Sequence, residues 1–410
     1  MPQYDLAVVG AELGGLASAA LLSATGKKSI VCTTGTSLAE ALGTKAKEGF
    51  SFSVGPALSY GFEPGGAFQQ LFRDLSIDNT VPAHAPGYQV ALPDRRITVT
   101  PNQDDTIEEL RREFPREIQK ISNFYRDLKN KTDQITKNRI VAYLSQRWSA
   151  RSFIGKYNFS KELLSFFDVQ ALFFFQRPVL ELSLMNLITL CTHRPFQYYG
   201  GYEKLAERLA AIVIAKGGDI LYSEPLTEIV YRNNRANGIR TTRGIIETGS
   251  VLQETSDKRI PVLFLGVHDQ VVPVGMDRDV LYLPDYSQPR EFLVFSLSAK
   301  DDSTAAPKGM RAITVTFYTT KNLPHDKNML VSQTTGLIPF LGDFLVLSEE
   351  SLPRGTSSVP AGLTLKPLRS GKSEPLLFRT SKRNVYALHE VQHAPLQLMP
   401  AVRKLVMQIM

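Results

Sequence analysis

A buried strand that runs directly into a glycine-rich turn and a helix opens the chain. The apolar run 6–9 predicts the strand, and Gly14 and Gly15, followed by LASAALLSA, predict the start of a helix packed on it. This strand–turn–helix unit is typical of a dinucleotide-binding fold. It constrains the chain to an α/β architecture with a parallel sheet at its centre.

The glycine pattern of this turn is incomplete. In a G-x-G-x-x-G pattern the glycines fall on Gly10, position 12 and Gly15, and position 12 is Glu12. The middle glycine lets the backbone approach a pyrophosphate, which the N–H groups of the helix N-terminus then hold. Because Glu12 adds bulk and negative charge at this point, the turn predicts the fold but argues against a bound nucleotide.

The second strand ends on a residue that weakens the same site. It runs over 28–32 and is followed by Thr33, where an acidic residue about 20 positions after the turn would bind both ribose hydroxyls. Threonine offers one hydroxyl and no bidentate acceptor. Thr33 therefore lowers the expectation of dinucleotide binding further.

Length and composition set the class of protein. A chain of 410 residues exceeds one simple core, so we expect two domains. The sequence contains no run of about 18 apolar residues, so no membrane span is predicted. The apolar N-terminal stretch contains Asp5 and lacks a basic region before it, which is unlike a signal peptide. Two cysteines, Cys32 and Cys191, are too few for a disulfide framework, so we expect a cytoplasmic protein.

Positive charge is concentrated in one stretch of the chain. The net charge is +7, and residues 111–161 hold thirteen lysines and arginines. Their helical spacing indicates a solvated helix face, and the functional alternative is attraction to anionic lipid or to an acidic partner. No nucleic-acid-binding module is visible, and no nucleic acid is expected as a partner.

The rest of the chain predicts hairpins, an antiparallel sheet and an apolar helical region. Residues 88–100 predict a hairpin that turns at Pro93-Asp94, and residues 219–246 predict one that turns at Asn233-Asn234. The apolar stretch 163–191 predicts a buried helical pair or the wall of an apolar cavity. The antiparallel sheet is expected from strands at 261–266, 280–283, 291–298 and 311–318.

Several segments, in order along the chain, resemble the phytoene desaturase and carotenoid isomerase family of flavoproteins, within the larger amine-oxidase-like group. The resemblance covers residues 4 to about 320 and again 383–405. It implies an FAD-binding domain assembled from discontinuous segments and a substrate domain with an apolar tunnel for long polyenes. The matching segments are YDLAVVGAELGGLASAALL, EGFSFSVGPALSYGFEPGG, YQVALPD, YYGGYEKLAERLA, GGDILYSEPLTEI, VLFLGVHDQ, LYLPDY and DDSTAAPKGMRAITVTF.

The expected fold is therefore a Rossmann-like FAD/NAD(P)-binding α/β domain with an interleaved α+β substrate domain that contains an antiparallel sheet. The dinucleotide-binding-type domain is expected from residues 1–75, 195–270 and 376–410. The substrate-type domain is expected from residues 76–194 and 271–375.

The resemblance also implies a set of FAD contacts, and four of them are altered in this chain. The glycine-rich loop contains a glutamate, the ribose carboxylate is a threonine, and the family's Gly-Gly-Arg and Gly-Asp motifs are replaced. These departures favour a chain without cofactor, with FAD as the alternative. The family's cofactor positions fall here on Gly10, Glu12, Gly14, Gly15, Thr33, Ala39-Glu40-Ala41 and His389-Glu390.

Residues 389–393, HEVQH, match a zinc-protease motif. That chemistry needs both histidines on one helix face and a third ligand. A strand-like segment before His389 and Pro395 after the motif argue against a helix, and no Asp, Glu, His or Cys follows His393. We therefore expect no metal site, and no residue is assigned a catalytic role.

Two main hypotheses about function follow. The first is a cofactor-less or cofactor-impaired relative that acts as a binding or structural subunit for an apolar, isoprenoid-like ligand or for a partner protein. Rab GDP-dissociation inhibitors are a precedent at the level of fold. They resemble flavoproteins, but they bind no flavin and hold isoprenoid lipid. The second is an active FAD-dependent desaturase, isomerase or saturase of an apolar polyene or isoprenoid. A third, minor hypothesis is an enzyme that binds another nucleotide.

The first hypothesis includes expected partners. They are a flavin-bearing homologue or an anionic membrane surface, so the protein is expected in the cytoplasm, in part peripheral to a membrane. The basic stretch 111–161 would supply the attraction, which salt would screen.

Overall fold

The computed structural model describes residues 3–63, 65–78, 83–84, 87–137, 148–198, 201–255, 260–319, 327–351, 364–367, 376–389 and 398–410. No helix in these ranges is long and apolar enough to cross a bilayer. The helices of this part of the chain are α1 (Leu13–Ala24), α2 (Ala67–Asp74), α3 (Gln103–Glu113), α4 (Ile118–Lys137), α5 (Ala150–Ile154), α6 (Lys161–Phe175), α7 (Leu184–Thr192), α8 (Gly201–Ala215), α9 (Lys327–Thr334) and α10 (Leu398–Ile409).

The strands form two large sheets and two short two-stranded pairs. They are β1 (Tyr4–Val9), β2 (Ser29–Cys32), β3 (Thr44–Lys47), β4 (Phe50–Ser53), β5 (Ala83–His84), β6 (Tyr88–Leu92), β7 (Arg95–Val99), β8 (Gln197–Tyr198), β9 (Asp219–Leu221), β10 (Glu228–Arg232), β11 (Arg235–Thr241), β12 (Gly244–Thr255), β13 (Val262–His268), β14 (Asp279–Tyr282), β15 (Phe292–Leu297), β16 (Met310–Tyr318), β17 (Leu345–Ser351), β18 (Leu365–Pro367), β19 (Leu377–Thr380) and β20 (Val385–His389).

The first sheet contains the opening strand at its centre. Its order is β18-β19-β20-β12-β1-β2-β9, and the five strands from β20 to β9 run parallel. The predicted position of residues 6–9 inside a parallel sheet is confirmed. The sheet draws strands from three separate segments of the chain, so the predicted α/β fold, with its dinucleotide-binding-type sheet assembled from discontinuous segments, is also confirmed.

Helix α1 is the most deeply buried helix on this sheet, because it is apolar on every side. All residues from Leu13 to Ser23 are buried. Leu16 of α1, Leu209 of α8 and Leu405 of α10 are fully buried in one cluster. A helix that is apolar all round is stable only when other elements cover it completely, and the sheet and these two helices provide that cover.

The second sheet has the order β17-β13-β16-β15-β14-β6-β7 and is antiparallel except where β14 pairs with β6. It confirms the antiparallel sheet that the four strands between 261 and 318 predicted. The hairpin at Pro93-Asp94 is also confirmed, since β6 and β7 pair directly across it. Strand β13 lies within the segment 195–270, but its two partners in the described part of the chain, β16 and β17, belong to this second sheet.

The helices α3 to α7 form an aromatic-rich layer that packs against β6 and β14. The ring of Phe124 is fully buried and lies within 5.5 Å of the rings of Tyr125, Phe159 and Phe167, measured between centroids. The predicted helical pair within 163–191 corresponds to α6 and α7. Serine caps both helices: Ser160 Oγ accepts from Leu163 N, and Ser183 Oγ accepts from Asn186 N.

Candidate functional site

The five parallel strands end along one edge of the first sheet, where the predicted site residues lie. The register pairs Val9 with Cys32 and Gln253, and it pairs Thr255 with His389. Ligands of α/β proteins bind outside this carboxyl edge. The fold therefore brings together Gly10, Glu12, Gly14, Gly15 and Thr33, as the sequence predicted, with the end of β12 beside them.

The turn after β1 requires glycine at its first position. Gly10 has a φ of +119°, which side chains rarely tolerate, and its N–H donates to the carbonyl of Cys32 at 2.8 Å. Glu12 is the N-cap of α1, but its side chain makes no capping hydrogen bond. Gly14 lies in the first turn of the helix, where its carbonyl accepts from Ser18 Oγ. The N-terminus of α1 must therefore be satisfied by another group.

That group is Glu254, at the end of β12. Its carboxylate accepts the N–H of Glu12 at 2.9 Å and the N–H of Gly15 at 2.5 Å, and the residue is fully buried. A carboxylate at a helix N-terminus is stabilised by the N–H groups and by the helix dipole. Glu254 thus places one negative group at the position where a dinucleotide-binding fold holds phosphate.

The glycines of the turn make room for this carboxylate. A Cβ atom built on Gly10 would lie 2.2 Å from Glu254 Oε2, and one built on Gly15 would lie 2.3 Å from Glu254 Oε1. Both distances are far below van der Waals contact. Glu254 therefore occupies the volume that a side chain at position 10 or 15 would need.

The hydroxyl and the carbonyl of Thr33 both accept hydrogen bonds from nearby backbone N–H groups. Its hydroxyl accepts the N–H of Gly35 at 3.1 Å, and its carbonyl accepts the N–H of Glu224 at 2.8 Å. The Thr242 hydroxyl donates to Glu224 and lowers the pKa of that carboxyl to about 2, so Glu224 is charged at neutral pH. Arg243 pairs with this carboxylate at 2.9 Å.

The segment that matches the family's Gly-Gly-Arg motif is held by backbone and side-chain hydrogen bonds of its own. Ala39 adopts a left-handed conformation with a φ of +49°, and its N–H donates to the carbonyl of Ala11 at 2.8 Å. Glu40 Oε1 accepts the N–H of Thr36 at 3.1 Å. This glutamate therefore supports the loop after β2.

The last predicted position is described only in part. His389 ends β20, its N–H donates to the carbonyl of Leu376 at 2.7 Å, and its ring Nδ1 lies 3.4 Å from Thr255 Oγ1. Glu390 and His393 lie outside the described residues. His389 itself lies on a strand, which the zinc-protease motif does not use. Among the residues that the structure describes, no group of three His, Cys, Asp or Glu side chains could hold a metal ion.

Neither cysteine is an activated nucleophile. Burial, together with the nearby charge of Glu224, raises the pKa of Cys32 to about 12. Burial also raises the pKa of Cys191. Both side chains are thiols at neutral pH, and a thiol is a poor nucleophile.

The sequence analysis missed Glu254, although one signal pointed to it. The segment SVLQET places a glutamate directly after a short stretch with the β-branched and apolar residues Val251 and Leu252. A buried glutamate needs hydrogen-bonding partners, and parallel strands end where α1 begins. Only the pairing of β12 with β1 identifies those partners as the N–H groups of α1.

A separate cavity of about 340 Å³ lies in the helical layer, between α3, α4, α6 and α7. This volume is at the lower end of the range for ligand pockets, about 300–1,000 Å³. Gln170, a buried polar residue in its wall, accepts from Tyr88 Oη at 2.6 Å and donates to the carbonyl of Phe166 at 2.7 Å. Exposed Lys129 and Arg194 also line the cavity, with further polar side chains that include Asn102, Asp104 and His193. The apolar part of its lining includes Tyr125, Phe166, Phe167, Leu190 and Cys191.

Comparison with known proteins gives a family and related sequences. The model of the flavin containing amine oxidoreductases matches residues 40–257, just over half of the chain. Prolycopene isomerase 1 of an Oncidium hybrid cultivar is 25% identical over 274 residues, which cover 59% of this chain and 46% of that protein. Prolycopene isomerase of Arabidopsis thaliana is 24% identical over 278 residues, with 59% and 45% covered. The chain spans about half the length of these curated relatives, and the predicted resemblance is confirmed.

Solved structures share the fold over almost the whole chain. Rab GDI from Plasmodium falciparum has a TM-score of 0.70 at 10% identity, and the match covers 99% of this chain and 97% of the Rab GDI chain. An oxidoreductase from Methanosarcina mazei has a TM-score of 0.62 at 15% identity and covers 97% and 100%. Identities this low establish the fold alone.

The described residues do not fit the pyrophosphate of a flavin dinucleotide. The N–H groups of Glu12 and Gly15, which would hold a phosphate, already donate to Glu254. A pyrophosphate at the same donors would meet a buried carboxylate of the same charge sign. The cleft accepts a dinucleotide only if Glu254 leaves it.

The substitution Gly10→Ala tests the packing of this cleft. We expect it to lower the free energy of unfolding by about 2–6 kcal/mol, because the backbone strain and the displaced carboxylate each cost about 1–3 kcal/mol. Gly26→Ala is the matched control, since Gly26 has a φ of +87° but no atom lies within 4 Å of the position that a Cβ would take there. Chemical denaturation measures both variants, and equal losses would contradict the close packing of Glu254 against Gly10.

Proposed function

We propose that this chain, which belongs to the flavin-containing amine oxidoreductase family, acts without flavin as a binding subunit for an apolar, isoprenoid-like ligand or for a partner protein. The observation that carries the proposal is the buried carboxylate of Glu254 on the N–H groups of Glu12 and Gly15. This carboxylate occupies the anchor point of the cofactor that supplies the family's redox chemistry.

Electrostatics opposes a flavin in this cleft. Two unit charges of the same sign 4 Å apart repel by about 4 kcal/mol at an effective dielectric constant of about 20. Glu254 brings a buried carboxylate to the place of a pyrophosphate, and Thr33 supplies no carboxylate for the ribose. Several lost contacts and one new repulsion together favour a protein that binds flavin weakly.

The cavity of the helical layer supports the ligand part of the proposal. Aromatic and aliphatic side chains form one part of its lining, and polar and charged side chains form the rest. The amide of Gln170 is hydrogen-bonded to Tyr88 and Phe166, so an apolar chain packed against the apolar part leaves this buried amide paired. Its volume of about 340 Å³ suits a short isoprenoid better than a long polyene.

Family membership favours a second candidate function. The family model is that of flavin-containing enzymes, and the related sequences are named prolycopene isomerases. An active FAD-dependent oxidoreductase or isomerase of an apolar polyene or isoprenoid is therefore the alternative. In that protein the Glu254 side chain would have to move away from α1 when FAD binds.

The absorption spectrum separates the two candidates. We expect the protein purified from a flavin-replete host to show no flavin bands in visible light, before and after denaturation. We expect the same of Glu12→Gly, because Glu254 still holds the N–H of Gly15. This variant should lose only a few tenths of a kcal/mol in stability, since glycine is a tolerated N-cap. A yellow protein with flavin near one equivalent would support the alternative.

Ligand binding in the cavity is tested with geraniol, a short isoprenoid. Cys191 lines the cavity, so Cys191→Phe should fill part of it and weaken binding about tenfold, or about 1.4 kcal/mol. Thr189→Phe is the control, on the same helix but away from the cavity wall. Titration calorimetry with geraniol measures both variants. An equal effect of the two substitutions would place the ligand elsewhere.

The basic stretch 111–161 supports the partner part of the proposal. Some of its charges are paired with carboxylates three positions earlier in the chain, as Arg112 is with Glu109 and Lys120 with Glu117. Lys129 and Lys137 are exposed on α4. A flavin-bearing homologue with an acidic face, or an anionic membrane surface, would be attracted to these lysines.

Charge reversal on α4 tests this attraction. Sedimentation with phosphatidylserine vesicles at low salt should show binding by the wild type. The double variant Lys129→Glu with Lys137→Glu should bind at least about tenfold more weakly, since each lysine near the surface contributes about 1 kcal/mol. Lys216→Glu with Lys308→Glu is the control, with the same charge change at exposed positions outside the stretch. Size-exclusion chromatography with mass detection, on protein from its native source, tests for a partner protein. A monomer that binds no vesicles at low salt would contradict both partners.

A further inference from the structure

The carboxylate of Glu254 has the contacts of a bound anion. It is fully buried, and its two oxygens accept from two different N–H groups of one helix N-terminus, at 2.9 Å from Glu12 N and 2.5 Å from Gly15 N. Glu12 is the N-cap and Gly15 is the third residue of α1. In a capping box, two side chains of the same helix end accept from these two N–H groups. Here Glu254 accepts from both, and it lies 242 positions after Glu12.

The surrounding glycines show that this fit is tight. A Cβ atom on Gly15 would lie 2.3 Å from Glu254 Oε1, 2.6 Å from Glu254 Cδ and 2.7 Å from Val8 Cγ1. A Cβ atom on Gly10 would lie 2.9 Å from Glu254 Cβ. The motif has lost its middle glycine to Glu12 but keeps the two glycines that contact Glu254. Their retention matches the shape of this side chain.

We propose that Glu254 is an internal anion that takes the place of a cofactor phosphate and closes this cleft from within. A tethered carboxylate is always present at high effective concentration, so it outcompetes free anions of similar affinity. The cleft therefore becomes a site for a phosphate-bearing molecule only when the Glu254 side chain is removed or displaced. This inference rests on the proposed function, since it names what excludes the flavin.

The substitution Glu254→Ala tests the proposal, with inorganic pyrophosphate as the probe. Removing the carboxylate leaves the N–H groups of Glu12 and Gly15 without their acceptor, so we expect the melting temperature to fall by several degrees. Millimolar pyrophosphate should recover a large part of this loss in Glu254→Ala and should leave the wild type unchanged. Titration calorimetry should show at least tenfold tighter pyrophosphate binding by the variant than by the wild type.

Two further variants separate the carboxylate from general effects. Glu247→Ala removes an exposed glutamate from the same strand and should behave as the wild type does. Glu254→Gln keeps the shape of the side chain but turns one acceptor into a donor, so it should be destabilised and gain no pyrophosphate binding. If Glu254→Ala does not fold alone, its refolding yield with pyrophosphate replaces the melting temperature as the readout.

Each outcome decides the proposal. Rescue confined to Glu254→Ala supports it. Folded Glu254→Ala without a pyrophosphate effect, or a wild type stabilised to the same extent, overturns it. Neither result depends on flavin content or on ligand binding in the helical layer, so the proposed function can stand when this inference fails.

Discussion

The hydrogen bonds from the N-terminus of α1 to Glu254 are the interaction on which the centre of this molecule depends. Helix α1 is buried from Leu13 to Ser23, so its first N–H groups have no route to water. A buried N–H without an acceptor costs about 1–3 kcal/mol. The carboxylate of Glu254 satisfies two of them and thereby links α1, β1 and β12 at the edge where the parallel strands end.

The same interaction underlies the proposal that this chain acts without flavin. In a dinucleotide-binding protein the cofactor supplies the negative charge at this helix N-terminus. Here the carboxylate of Glu254 accepts the N–H groups at this position. The thiols of Cys32 and Cys191 are both protonated at neutral pH and offer no replacement chemistry. The proposed binding role in the helical layer is consistent with these facts, because it needs the fold and the cavity but no redox group.

Most of the architecture could be predicted from local patterns. The apolar run before Gly10 predicts β1, the asparagines at 233 and 234 predict a hairpin, and both adopt the positive φ values that this turn uses. The four strands between 261 and 318 follow from their apolar, β-branched composition. These features depend on residues close together in the sequence, whose spacing and turn chemistry determine the backbone directly.

The sequence by itself determined the strand–turn–helix unit, the family resemblance and the loss of Gly at position 12 and of an acidic residue at Thr33. Only the tertiary structure decided what fills the cleft, because the contact between Glu254 and α1 joins segments 242 residues apart through the pairing of β12 with β1. The cavity also depends on the tertiary structure. Its wall comes from residues of four helices, of the end of β7 and of the adjoining loops, and no periodicity in any one element specifies how the others pack against it.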